Sequence, residues 1–134
     1  MKRDMDLIRS LLLEIEGGRV SFSTLSKETA DTLGLDPQEA LSREEAEALE
    51  YHLDLLREAG FAEFIELSGG YWQVERITWK GHEFIDSIRD PEIWRQTKAG
   101  AAKVGSFSVK TLADVAVALA KARLEQFMTT GQLV

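Results

Sequence analysis

Between Ser42 and Arg89 the chain sets out helix, hairpin and helix with almost no slack, and this run limits the possible folds most. Ser42-Arg43-Glu44-Glu45 has the form of a capping box, in which Ser42 meets the third backbone N–H and Glu45 reaches back. It predicts a helix to Ala59 with Ala46, Leu49, Leu53 and Leu56 on its core stripe and Gly60 at its end. Phe61–Leu67 and Tyr71–Thr78 are β-rich and joined through Ser68-Gly69-Gly70, which predicts a hairpin. Thr78 can cap a helix over Trp79–Arg89, and Asp90-Pro91 signals the next, which contains Ile93 and Trp94.

On the N-terminal side, Asp4 or Asp6 can cap a first helix that runs to about Glu16. Its apolar positions Leu7, Ile8, Leu11, Leu12 and Ile15 keep helical spacing, and Gly17-Gly18 stops it. Val20–Ser23 alternates like a short strand, Ser26 can cap a short helix ending at Gly34, and Asp36-Pro37 looks like another helix start. Beyond Gly100 and Gly105, Ser106 or Ser108 opens a last helix to about Phe127. Helix, strand, helix, helix, hairpin, helix is the order of a winged helix. The expected fold class is therefore α+β: a winged-helix-like domain with a short hairpin wing over residues 1–98, and a C-terminal helical extension over 99–134.

The 134 residues contain no Cys, which excludes a disulfide scaffold, a Cys-ligated zinc site and thiol catalysis. Met1–Asp6 lacks the apolar core of a secretory leader, and the apolar run Val115–Ala120 is far too short to span a membrane. A soluble, cytoplasmic setting is expected. The net charge of −7 is unevenly spread. Residues 1–66 hold seven basic and sixteen acidic residues, whereas 67–134 hold nine and seven. From Arg89 to Arg123 seven basic residues face only Asp90, Glu92 and Asp114. Such asymmetry suggests a nucleic-acid face or two mutually attractive surfaces.

A DNA-reading winged helix supplies Arg, Lys, Asn or Gln from its third helix and its wing. Here the side of residues 43–59 opposite the core stripe presents Glu44, Glu47, Tyr51, Asp54 and Glu58, and the hairpin adds Glu63, Glu66 and Glu75 against Arg76. Carboxylates repel phosphates, so conventional DNA reading is disfavoured. The Pro-containing spacer from Gly34 to Ser42 is also longer than a helix-turn-helix joint. Ala48, Tyr51 and Leu55 make a second apolar stripe within the acidic rim. Glu47, Ala48, Tyr51, Asp54, Leu55 and Glu58 are thus the candidate protein-interaction residues. Arg89, Arg95, Lys98 and Lys103 are the candidate nucleic-acid contacts of the alternative reading.

In the last helix, Leu112, Val115, Ala116, Leu119 and Ala122 form an apolar face rich in small residues, the candidate homodimer contact. The competing cover for that face is the chain's own first helix. Catalytic and metal signals are lacking: His52 and His82 fall in no metal-ligand spacing, and there is no nucleophile elbow, phosphate loop or dinucleotide fingerprint. Trp72, Trp79 and Trp94 are expected in the core. No enzyme activity, cofactor or metal is expected.

Met1–Arg9, Tyr51-His52-Leu53 and Thr78-Trp79-x-Gly81-His82-x-Phe84, with Asp86, Ile88-Arg89 and Trp94, carry a further signal. Together they resemble a small bacterial and prophage family known as a domain of unknown function, with a Leu/Ile-Thr-Trp-x-Gly-His-x-Phe signature. The likeness spans about 1–16 and 42–98 and departs between about 19 and 41. It implies a winged-helix-like fold and a phage-linked setting, not a mechanism. The resulting expectation is a non-enzymatic, homodimeric regulatory or adaptor protein working through an unknown protein partner. The alternative is a DNA-binding transcriptional regulator.

Overall fold

A computed structural model describes residues 1–34 and 40–130. Among these, six helices and one three-stranded antiparallel sheet give a mixed α+β architecture. The chain divides into two compact units, Met1–His82 and Glu83 onward.

In the first unit, helix α1 (Met5–Glu16) starts at Asp4, whose carboxylate accepts the backbone N–H groups of Asp6 and Leu7. Its apolar positions bury one face: Met5, Ile8, Leu11, Leu12 and Ile15. Strand β1 (Ser21–Ser23) follows, then α2 (Lys27–Leu33), capped by Ser26 and stopped by Gly34 in the left-handed region at φ 72°. Asp36-Pro37 lies outside the described residues. Leu41 returns to the start of α2, accepting the Lys27 N–H at 2.7 Å and donating its own to Leu25 at 3.1 Å.

Helix α3 (Arg43–Glu58) opens on the anticipated capping box, with the Glu45 N–H donating to Ser42 Oγ and the Glu45 carboxylate accepting from the Ser42 N–H. Ala46, His52, Leu53 and Leu56 are buried, while Leu49 is half-buried. Strands β2 (Ala62–Leu67) and β3 (Tyr71–Ile77) form the hairpin, and β1 adds to β3, so the sheet order is β1-β3-β2. Trp72 sits opposite Phe22 on one side and Glu66 on the other. Trp72, Phe22 and Phe61 are among the largest wholly buried side chains.

The hairpin's two ends are tied together where helix α4 (Trp79–Ile88) begins. The Thr78 N–H donates to the Phe61 carbonyl at 2.9 Å, and the Thr78 hydroxyl donates to that of Gly60. The same hydroxyl accepts the Gly81 N–H at 3.1 Å.

The second unit holds the end of α4, then α5 (Pro91–Val104) and α6 (Val109–Thr130). Asp90 caps α5 and Gly105 ends it in the left-handed region. The expected domain boundary at residue 98 falls inside this helix. Helix α6 packs on α5. Gly100 makes that approach possible, because a Cβ there would come within 3.0 Å of Val115 Cγ1.

Candidate functional site

The outward side of α3 is a carboxylate surface. Glu44, Glu47 and Glu58 are exposed, and Asp54 is half-buried beside Ala48, Tyr51 and Leu55, which are also half-buried. The second apolar stripe is thus partly covered. Both arginines of the helix are held by acids: Arg43 pairs with Glu47 at 3.2 Å, and Arg57 pairs with Asp54 and, at 3.6 Å, with Glu66. On the hairpin, the Arg76 guanidinium donates twice to Glu63, at 2.9 and 2.8 Å. These hydrogen bonds hold the Glu63 carboxyl below its ordinary pKa and raise that of Arg76. Cations that would have met phosphate are engaged within the chain.

The basic segment is compensated in the same way. Arg89 pairs with Asp86 at 2.7 Å, and Arg95 donates to Glu92 at 3.0 and 2.5 Å. The Arg95 bonds, with a further one from Gln96, hold Glu92 down to a pKa of about 2. Lys98 Nζ lies 5.6 Å from the Trp94 ring centre. Lys103 is exposed in the last turn of α5. Asp90 is also held below its ordinary pKa, by the Ile93 and Glu92 N–H groups and by Arg123.

The face expected to meet a second copy is mostly closed within the chain. Leu112 and Ala116 are fully buried, Val115 and Leu119 are half-buried, and only Ala122 is exposed. Pattern alone did not identify the open apolar side of α6, where Val117, Leu124, Phe127 and Met128 are exposed by 56%, 54%, 41% and 64%. Next to it lies a groove of about 400 Å³ between α4, α5 and α6. Ile93, Ala120, Leu124 and Phe127 line it, and Arg123 pairs with Asp90 at 3.4 Å on its wall.

The tryptophans divide. Trp72 and Trp94 are core residues as expected, but Trp79 is 80% exposed, because the first turn of α4 turns it outward. Its neighbours in the signature have structural reasons to be there. Thr78 caps, Gly81 lets the helix approach Phe61, and Phe84 is buried. His52 is buried and holds the start of α1, whereas His82 is exposed. Among the described residues, no group of three acids or histidines is placed to hold a metal ion, and no helix is long and apolar enough to cross a membrane.

Residues 2–108 match the model of a family described as hypothetical protein DUF2513. The chain belongs to the DUF2513 family. A relative from Haemophilus influenzae, described as an uncharacterized protein, is 34% identical over 101 residues, covering 73% of this chain and 76% of the relative. No solved structure matches the chain. The stretch that defines DUF2513 here ends at residue 108, just before α6 begins at Val109.

Proposed function

We propose that this DUF2513 protein is a non-enzymatic, winged-helix-type regulatory or adaptor protein that binds a basic protein partner through the outward face of α3. The element order and the β1-β3-β2 sheet support the winged-helix reading. The observation that carries the functional reading is electrostatic. The two elements that would read DNA, α3 and the hairpin, present carboxylates, and Arg43, Arg57 and Arg76 are paired to acids of the same unit. Phosphate neutralisation is what drives duplex binding, and this surface opposes it. Glu47, Asp54 and Glu58 supply the charge, while Ala48, Tyr51 and Leu55 supply half-buried apolar area among them. We place the protein in the cytoplasm, as a homodimer without cofactor, in the prophage-type setting that its sequence signature suggests.

The second reading is a DNA-binding regulator using Arg89, Arg95, Lys98 and Lys103; the exposed Lys103 favours it. Duplex binding by fluorescence anisotropy at about 50 and 200 mM salt separates the two. The adaptor reading expects no binding at either salt. Submicromolar affinity that falls steeply with salt and is lost in Lys98→Glu with Lys103→Glu would replace it with the second reading.

A further inference from the structure

We propose that the open side of α6 is a self-association seam that joins two copies of this chain through antiparallel α6 helices. Ala113, Val117, Ala120, Leu124 and Phe127 follow one another at alternating spacings of four and three, the a/d repeat of a two-stranded helix pair. This stripe is separate from the Leu112–Ala116 face that is buried in the unit. Its large members are the ones left open, and Met128 extends it.

Side-chain size and charge select the arrangement. With two antiparallel helices centred between Ala118 and Leu119, Leu124 faces Ala113 of the second copy and Val117 faces its Ala120. At both of these layers a larger side chain then meets an alanine. Phe127 meets the apolar stem of Lys110, whose ammonium pairs with Asp114 of its own helix at 3.1 Å. On the flank, Asp114 lies against Lys121 of the second copy, and the twofold axis repeats the pair. Sliding the helices by one heptad, to a centre at Ala122, would bring Lys121 against Lys121 and Arg123 against Arg123. A parallel pair would oppose no acid to Lys121. Charge therefore favours one orientation and one register. The seam supplies the interface of the homodimer proposed above and rests on that part of the reading; the α3 surface takes no part, so loss of the seam leaves the partner-binding reading to its own test.

The 134-residue chain is tested by sedimentation velocity across about 1–100 µM, where a reversible dimer shows as a concentration-dependent mass. A monomer throughout would overturn the proposal. So would a dimer indifferent to Leu124→Glu in a variant whose circular dichroism is unchanged. Asp114→Lys and Lys121→Asp each create like-charge pairs and are expected to weaken the dimer about tenfold. The double variant exchanges the charges and is expected to return to within about threefold of wild type. Lack of rescue would exclude this register. Because the chain has no cysteine, engineered thiols report orientation directly. Ala113→Cys mixed with Leu124→Cys is expected to give a mixed disulfide. Leu124→Cys alone leaves its thiols about 16 Å apart along the axis and is expected not to link to itself. Self-linking of Leu124→Cys would mean a parallel pair and overturn the proposal.

Discussion

The backbone N–H of Asp4 donates to Nε2 of His52 at 2.9 Å, although 48 residues separate them. The other ring nitrogen, Nδ1, lies 2.7 Å from the Ala48 carbonyl. A backbone N–H can only donate and a carbonyl can only accept, so the geometry places the ring proton on Nδ1. Asp4 is also the residue whose carboxylate caps α1. One imidazole thus fixes where the first helix starts relative to α3, inside the unit that carries both.

His52→Leu is expected to destabilise the first unit by about 1–3 kcal/mol, because it keeps the buried volume but leaves the Asp4 N–H without its acceptor. Chemical denaturation checks the magnitude. Amide exchange checks the cause: Asp4 should lose more protection than Trp72, whose core strand loses only what the drop in global stability removes. Nitrogen chemical shifts of the wild-type ring should report the Nδ1-protonated form.

Gly81 stands where a side chain has no room. A Cβ there would lie 2.1 Å from the Phe61 carbonyl oxygen and 2.7 Å from Ile77 Cγ2. The first of these is backbone, already accepting from Thr78, so it cannot move without opening the base of the hairpin. Gly81→Ala is expected to cost at least about 3 kcal/mol, seen as a lowered denaturation midpoint or loss of soluble protein. His82→Ala, at an exposed position one residue along, is expected to stay within about 0.5 kcal/mol of wild type.

The contrast between these two histidines shows what the sequence could reveal. Caps and stops are local chemistry, so the Ser42–Glu45 box, the Asp90-Pro91 start and the Gly-rich turn were legible, and the elements formed where they indicated. The partner of His52 is a main-chain N–H from a distant segment, which leaves no pattern. Helix α6 is hard to read from sequence for another reason. It has apolar residues on more than one side, and spacing cannot say which side α5 covers; Leu112 and Ala116 are the ones it buries. Trp79 departs from its expected burial because a hydrophobic residue in a helix's first turn can point to solvent.

The exposure of Trp79 has an optical consequence. Trp72 and Trp94 are 0% and 4% exposed, against 80% for Trp79. Trp79→Phe is therefore expected to remove most of the acrylamide-quenchable emission and to shift the remaining spectrum to the blue. Denaturation midpoints should stay within about 0.5 kcal/mol of wild type, since little buried area is lost. Strong quenching that survives in Trp79→Phe would mean that Trp72 or Trp94 reaches solvent.

The start of α5 offers a pH test with a definite sign. The hydrogen bonds from Arg95 and Gln96 hold Glu92 at a pKa of about 2, below its ordinary 4.5. A carboxyl depressed by folding contributes stability that is fully present above its unfolded pKa. That contribution is lost as the pH falls from about 4.5 towards 2. The pair is solvent-exposed, so its effect on global stability is small and salt-screened, and the carboxyl itself is the better reporter. Carbon-detected titration should find Glu92 still ionised well below its ordinary pKa of 4.5. Arg95→Gln removes the leading cause and should return the Glu92 midpoint towards the ordinary carboxylate range, as should high salt in part. If Glu92 of the wild-type protein titrated at its ordinary 4.5, the Arg95 bond would not persist in solution. Arg95 would then be available to phosphate, and the case for a DNA-binding basic segment would strengthen accordingly.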